Sequence, residues 1–174
     1  LPAFAIFRHV RYAVAEFEED PWHRHSDRIT AAVIEKFLVS ELRQNTDWVL
    51  NAGSGVATLG VPAEVSVDLF AEPVAGKKYP VCANVSQLPF STGQFRAIVC
   101  VGEVLAYCDP DIVLREFVRV LRPGGRLILD FGSTRSWRVF GSSISGTSAA
   151  LLTSEYNGSA EKTWIYDLEY IRHI

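Results

Sequence analysis

The sequence contains no methionine, and its three cysteines lack the spacing of a metal site. Cys82 and Cys100 lie in apolar runs, so we expect both to be buried thiols, which favours a reducing, cytoplasmic compartment. Because methionine is missing and position 1 is a leucine, we expect the sequence to be part of a longer chain or to omit residues.

Clusters of basic residues and a membrane-spanning segment are also lacking. The apolar opening, residues 1–12, is too short to cross a bilayer and has neither the basic start nor the cleavage site of a secretory signal. The formal net charge is −3, with no run of lysine or arginine for a phosphate backbone. We therefore expect no nucleic-acid partner and no membrane association, and we leave a homo-oligomer open.

The 174 residues, 48% apolar and 21% charged, suit one globular domain. Short apolar runs without clean alternation indicate parallel strands that are buried on both faces. They cover residues 48–51, 64–68, 79–83, 96–101 and 126–131. With helices between them, these runs predict a doubly wound, mainly parallel α/β sheet with helices on both faces.

Helical spacing of apolar residues appears over residues 26–43 and again after Asp109, a plausible N-cap that Pro110 follows. We predict three regions: an N-terminal helical segment or lid over 1–46, a ligand-binding α/β core over 47–131, and a Ser/Gly-rich crossover over 132–174. Ile165, Leu168 and Ile171 have helical spacing, so the third region is predicted to end in a helix.

In a doubly wound sheet, ligands bind where the strands end at their carboxyl termini. Glycines there allow a tight turn, an acid binds the hydroxyls of a ribose, and an amide side chain reads an adenine edge. The first four strand ends supply such residues, namely Gly53, Gly55, Asp68, Asn84, Gly102 and Glu103. Together they predict a site for an adenosine-containing ligand.

The glycine spacing argues against two common nucleotide-binding motifs. The dinucleotide fingerprint needs a third glycine where Thr58 stands, and a phosphate-binding P-loop needs a terminal Gly-Lys-Ser/Thr, which is missing here.

Four segments resemble the class I S-adenosylmethionine-dependent methyltransferases. They are "VLNAGSGVA", "VSVDL", "ANVSQLPFSTGQFRAIVCVGEVLAY" and "LREFVRVLRPGGRLILDF", and they span about residues 47–131. The last two are the specific ones, because "LPF" before a strand, followed by "VLRPGG", is hard to produce by chance.

The resemblance implies S-adenosylmethionine as cofactor, S-adenosylhomocysteine as product and methyl transfer to a small molecule. It implies that Asp68 binds the ribose and that Leu69, Asn84 and the Val85 N–H lie at the adenine. The methionine end is implied to contact Gly53, Ser54, Gly55, Gly102 and Glu103, and Asn51 takes the position of an acid that fixes the loop and the cofactor's ammonium.

The sequence departs from the family pattern at several points. Asn51 lacks the charge of that acid, Ala57 replaces a third glycine, and the second crossover is short and contains Pro73. We also find no antiparallel hairpin after the fifth strand, which the family's sheet usually has. These departures support an alternative, a non-catalytic methyltransferase-like module; a nucleotide-dependent oxidoreductase is the less favoured alternative.

Catalytic residues are not identified by any motif. Glu103 and Tyr107 follow the fourth strand near the expected acceptor, and His23 is a weaker candidate for a general base. His23 and His25 lack a third metal ligand, so we predict no metal site. The Asn/Asp-Pro-Pro-Tyr element of many base and glutamine N-methyltransferases is absent after the fourth strand, which favours a small-molecule acceptor.

Overall fold

A computed structural model of the chain describes residues 31–36, 46–156 and 159–174. Residues 31–36 are helical, in agreement with the predicted N-terminal helix, whose other residues lie outside the described ranges. His23 and the rest of the segment 1–30 also lie outside them. The roles suggested for that segment therefore stay predictions.

Five parallel strands form the main sheet, in the order β3-β2-β1-β4-β5. The strands are β1 Val49–Ala52, β2 Glu64–Asp68, β3 Pro80–Cys82, β4 Phe95–Cys100 and β5 Leu121–Leu129. The strand order reverses between β1 and β4, which is the point where a doubly wound sheet opens a ligand crevice at its carboxyl edge. The predicted fold class is confirmed.

The fifth strand begins five residues earlier than the sequence predicts. Leu121 pairs with Phe95 and Arg126 pairs with Ala97, so a bulge between these pairs holds Pro123–Gly125. A Cβ on Gly125 would lie 2.7 Å from the Leu121 side chain, which explains why the bulge needs a glycine there. The Pro-Gly-Gly sequence thus lies inside the strand, directly after the preceding helix.

Two helices connect strands of the main sheet. The first, α1, is a single turn over Ala71–Val74 that contains Pro73, so the second crossover is as short as the sequence suggests. The second, α2, spans Pro110–Val120, and the Asp109 side chain caps it by accepting two backbone N–H bonds. Its buried face carries Pro110, Val113, Leu114, Phe117 and Val120.

Alternate residues of the central strands enter separate cores on the two faces of the sheet. Leu50 and Ile98 belong to the core that α2 covers. Val49 and Val99 face the other side, where Ile34 of the N-terminal helical turn packs against them. Burial on both faces explains why these strands read as continuous apolar runs.

The region after β5 differs from the prediction. An antiparallel hairpin is present, with β6 over Ala149–Tyr156 and β7 over Ser159–Tyr166, and it forms a sheet of its own. The expected absence of such a hairpin before Ile174 is therefore wrong. The terminal helix, α3, covers only Leu168–His173, because Ile165 belongs to β7 although it shares helical spacing with Leu168 and Ile171.

Hydrogen bonds made by Glu116 and Arg119 of α2 join the two most specific sequence segments. The Leu88 N–H donates to Glu116 Oε1 at 2.7 Å, and Arg119 donates to the carbonyls of Leu88 and Phe90 at 3.0 and 2.7 Å. Glu116 and Arg119 also form an ion pair at 2.6 Å. The segments that carry the resemblance are thus part of the scaffold of the domain.

We predict that Glu116→Gln lowers the free energy of unfolding by about 1.5–3 kcal/mol, because charge-assisted hydrogen bonds are lost. The bond from Arg119 holds the pKa of Glu116 below its ordinary value of 4.5. This contribution is therefore complete above pH 4.5 and is lost as pH falls through the lowered pKa. Urea unfolding between pH 3 and 7 measures both effects.

Arg115→Gln is the matched control on the same helix, because Arg115 is 78% exposed and lies 3.7 Å from Asp111. We expect it to change stability by less than about 0.5 kcal/mol. Equal effects of the two variants would contradict the role given to Glu116.

Candidate functional site

The loop after β1 is docked on the end of β2. Gly53 and Gly55 have φ angles of +65° and +49°, a region that glycine enters without strain. The Ser54 N–H donates to the Val67 carbonyl at 2.9 Å, and the Gly55 N–H donates to Asp68 Oδ2 at 2.9 Å. The glycine loop and the acid identified separately in the sequence are therefore in direct contact.

Asp68 places a charged hydrogen-bond acceptor next to exposed apolar side chains. Its second oxygen, Oδ1, accepts the Phe70 N–H at 3.1 Å. Asp68 is half-buried, whereas Leu69 and Phe70 are 41% and 44% exposed. A carboxylate that accepts hydroxyl protons beside exposed apolar side chains suits a ribose that carries a purine.

Asn84 and Val85 follow β3, as expected, but the Asn84 side chain is already used in a turn. Its Oδ1 accepts the Ser86 N–H at 2.9 Å, and the residue is exposed, whereas Val85 is buried. This bond is typical of an Asx turn. The adenine contact of these two residues stays a prediction.

The turn after β4 is held by Asp130, an acid that the sequence analysis did not select. Gly102 has a φ of +83°, and Glu103 is the only residue other than glycine in the described ranges with a positive φ, +59°. Both N–H groups donate to Asp130, at 2.9 Å each. Asp130 thus fixes the backbone that the resemblance places at the methionine end.

Tyr107 reaches the hairpin that follows the main sheet. It closes a 3-10 turn over Val104–Tyr107, and its hydroxyl donates to Glu161 Oε1 of β7 at 2.5 Å. Tyr166 of the same strand donates its hydroxyl to the carbonyls of Leu105 and Cys108, and burial raises the pKa of Tyr166. The hairpin therefore packs directly beside the predicted acceptor side of the site.

Beneath the glycine loop, Asn51 is bonded to an acid from the neighbouring strand. Asn51 is 3% exposed, and its Nδ2 donates to Glu64 Oε1 at 2.9 Å. The Lys77 ammonium lies on the same loop and donates to Ser54 Oγ and the Gly55 carbonyl. Burial lowers the pKa of Lys77, although the charges of Glu64 and Asp68 act in the opposite direction.

The expectation that Cys82 is buried is wrong, whereas Cys100 is buried as expected. Cys82 lies on β3, a three-residue strand at the edge of the sheet. An edge strand has a neighbouring strand on one side only, so part of its surface stays exposed. Burial raises the pKa of Cys108 to about 11 and raises that of Cys100 as well. These two thiols are therefore protonated and poor nucleophiles near neutral pH.

The described ranges hold neither a metal cluster nor a membrane-spanning helix. Those residues contain no cluster of three or more His, Cys, Asp or Glu side chains that could hold a metal ion. They also contain no helix long and apolar enough to cross a membrane.

Four acids and bases near the site were missed: Glu64, Lys77, Asp130 and Glu161. Asp130 had a usable signal, since it is the acid near the end of the fifth apolar run, as Asp68 is the acid at the end of the second. Glu64 had a weaker one, a charge at the start of a buried strand. Lys77 and Glu161 had none, because their contacts join residues 22 and 54 positions apart.

The strand ends fit an adenosine-containing cofactor. A Cβ on Gly55 or Gly102 would meet no atom within 4 Å, so there is open space beside both backbones. Asp68 and the exposed Leu69 border that edge from the second strand. Asp68 can accept hydrogen bonds from a diol, and Leu69 offers an apolar surface to a ring. The backbones of Gly55 and Gly102 leave room for the rest of the ligand.

Residues 50–129 match the family of proteins described as a methyltransferase domain. Over 89 residues the chain is 36% identical to a demethylmenaquinone methyltransferase of Mycolicibacterium vanbaalenii, a match that covers 51% of this chain and 38% of the relative. A malonyl-[acyl-carrier protein] O-methyltransferase of Alcanivorax borkumensis is 46% identical over 50 residues, covering 29% and 17%. The matches thus cover less than half the length of these relatives.

Solved structures agree on the fold. A crystal structure of a Pyrococcus horikoshii protein aligns with a TM-score of 0.63 at 16% identity, covering 86% of this chain and 79% of that one. An S-adenosylmethionine-dependent methyltransferase of Methanosarcina mazei aligns with a TM-score of 0.56 at 18% identity, covering 78% and 80%.

The parallel sheet, with a glycine loop after β1, an acid after β2 and open backbone after β4, has the Rossmann-like fold of methyltransferase domains. Together with the match over residues 50–129, it makes this part of the chain similar to the class I S-adenosylmethionine-dependent methyltransferases. These matches favour methyl transfer over the nucleotide-dependent oxidoreductase that the sequence left as an alternative.

Gly53 provides a direct test of how the loop is held. A Cβ at this position would lie 2.4 Å from Val104 Cγ2, in addition to the positive φ. We predict that Gly53→Ala destabilises the protein by about 2–4 kcal/mol, from backbone strain plus overpacking. Gly60→Ala has a similar φ of +69° and open space, so it should cost only about 1–2 kcal/mol.

Urea unfolding of both variants, and of Gly53→Ala combined with Val104→Ala, measures the difference. The double variant should regain most of the excess loss. Equal effects at Gly53 and Gly60 would show that the contact with Val104 does not constrain the loop.

Proposed function

We propose that the protein binds S-adenosylmethionine at the carboxyl edge of its main sheet and transfers the methyl group to a small-molecule acceptor. The observation that carries this proposal is the bond between the Gly55 N–H and Asp68 Oδ2, with exposed Leu69 beside it. It brings the loop, the ribose acceptor and an apolar surface together at the switch point of the sheet.

Each part of the chain then has a defined task. Asp68 accepts the ribose hydroxyls, which displace or share its present bonds to backbone N–H groups, and Leu69 covers the purine. The Gly53–Gly55 loop lies against the methionine part, and Asp130 keeps Gly102 and Glu103 in place at its far end. The bound cofactor supplies an electrophilic methyl group on a sulfonium, so the protein's own contribution is alignment and exclusion of water.

The acceptor side is assigned to Glu103, Tyr107 and Glu161. Glu103 is exposed after β4, and the Tyr107–Glu161 hydrogen bond gives this side a phenol paired with a carboxylate. Such a pair can orient a hydroxyl or carboxyl acceptor and take up a proton. The names of the two relatives, which act on a quinone and a carrier-bound acyl group, support a small or carrier-bound acceptor rather than a nucleic acid.

Calorimetric titration with S-adenosylhomocysteine tests the cofactor assignment. We predict that the protein binds this product and that Asp68→Ala weakens its affinity at least tenfold, because a charged acceptor for the ribose is lost. Glu72→Ala is the matched control, since Glu72 is an exposed acid four residues further along the chain. It should leave the affinity unchanged.

Titration with NAD serves as the ligand control and should give no binding. Unchanged affinity of Asp68→Ala would show that the ribose site is misplaced. Absence of S-adenosylhomocysteine binding in the complete chain would favour the non-catalytic module instead. A [4+2]-cyclase also has this fold, with a TM-score of 0.50, so the fold alone does not establish methyl transfer. An assay for S-adenosylhomocysteine formed from S-adenosylmethionine therefore accompanies the titration.

A further inference from the structure

We infer that Glu64 is a positioning residue for the cofactor loop and that its charge fixes residue 51 as an amide. The inference rests on the proposed cofactor site and adds to it a residue at the opposite end of β2 from Asp68. It also changes the meaning of Asn51, which by sequence alone weakened the case for a working site.

The Glu64 carboxylate is buried and accepts four hydrogen bonds, which come from the loop and from the two strands beside it. The residue is 7% exposed. Its Oε2 accepts the Thr58 hydroxyl at 2.7 Å and the Leu59 N–H at 2.8 Å, both at the far end of the loop. Its Oε1 accepts Asn51 Nδ2 at 2.9 Å, from the end of β1 just before the loop, and Ser66 Oγ of β2 at 3.1 Å. A buried carboxylate needs such donors, so Glu64 ties both ends of the loop to β2.

Asn51 is a donor in this arrangement. Besides Glu64, its Nδ2 also donates to the Ala57 carbonyl at 3.3 Å. An aspartate in its place would set a second carboxylate about 3 Å from Glu64, where the two can coexist only by sharing a proton. The amide therefore follows from the buried acid on the neighbouring strand.

Lys77 completes the arrangement from the other side of the loop. Its ammonium donates to Ser54 Oγ at 3.0 Å, to the Gly55 carbonyl at 2.7 Å and to the Ala57 carbonyl at 2.5 Å. The loop is thus fixed from two directions: Glu64 accepts hydrogen bonds from its donor groups, and Lys77 donates hydrogen bonds to its acceptor groups. Its conformation is set before the ligand arrives, which reduces the entropy lost on binding.

Exchange of the two side-chain types tests the inference. Asn51→Asp brings two carboxylates together, and Glu64→Gln presents an amide nitrogen to the Asn51 Nδ2 or to the Leu59 N–H, which can only donate. In the double variant, the new amide on β2 donates to the new carboxylate on β1, while the amide oxygen accepts from Thr58 and Leu59, so the pairing is restored in reverse. We expect each single variant to bind S-adenosylhomocysteine at least tenfold more weakly at pH 8, and the double variant to bind within threefold of the parent.

The pH dependence separates positioning from general stability. Affinity of Asn51→Asp should recover as pH falls from 8 to 5, because a shared proton removes the repulsion, whereas the parent and the double variant should change less than threefold. Thr58→Val, which removes one donor at the surface, is the mild variant if a single exchange does not fold, and it should weaken binding about threefold.

Two results would overturn the inference: Asn51→Asp binding as well as the parent at pH 8, or a double variant no better than the weaker single one. If the parent itself does not bind S-adenosylhomocysteine, the proposed function fails on its own. The role of Glu64 is then decided by amide exchange across residues 53–59 without ligand, which should speed up in both single variants and return to the parent rate in the double variant. Unchanged exchange in the single variants would refute it.

Discussion

The site depends on the attachment of the glycine loop to the second strand. Asp68 at one end of β2 takes the Gly55 N–H, and Glu64 at the other end takes Asn51, Thr58 and Leu59. A loop with several positive φ angles has a large conformational entropy to lose, so it keeps one shape only where many bonds hold it. Two acids of one strand accept four of those bonds, Lys77 supplies three more, and one of the acids is also the proposed ribose ligand.

Scaffold and chemistry are carried by different parts of the chain. The sequence segments that carry the resemblance most strongly, around Leu88 and along α2, bond to each other through Glu116 and Arg119. The residues assigned to the ligand are individually ordinary, an aspartate, an asparagine and glycines at strand ends. The resemblance to the family therefore depends mostly on the scaffold, whereas the proposed acceptor side lies at Glu103, Tyr107 and Glu161, to which no motif assigns a catalytic role.

Most of the fold could be predicted because buried parallel strands are short apolar runs and α2 has a cap, a proline and an apolar stripe in the right order. The hairpin could not be predicted, because β7 is followed almost directly by α3. The apolar residues of these two elements together have the spacing of a single helix. At the site, Asp68 was found by its place at a strand end, and Asp130 could have been found in the same way. Glu64 and Lys77 act through long-range side-chain contacts, which spacing along the chain does not encode. The contact with Glu64 also explains why residue 51 is an amide. From the sequence alone, Asn51 was only a departure from the acid of the family pattern.

The central claim is that the cofactor binds at the carboxyl edge of the sheet, against this loop. A titration with S-adenosylhomocysteine followed by amide NMR tests it most directly. The largest shifts should fall on the N–H groups of Gly55, Leu69, Phe70 and Val85. A groove of about 340 Å³ at the opposite edge is lined by Trp48, Lys78, Tyr79 and Gln94. Shifts confined to that groove would contradict the account.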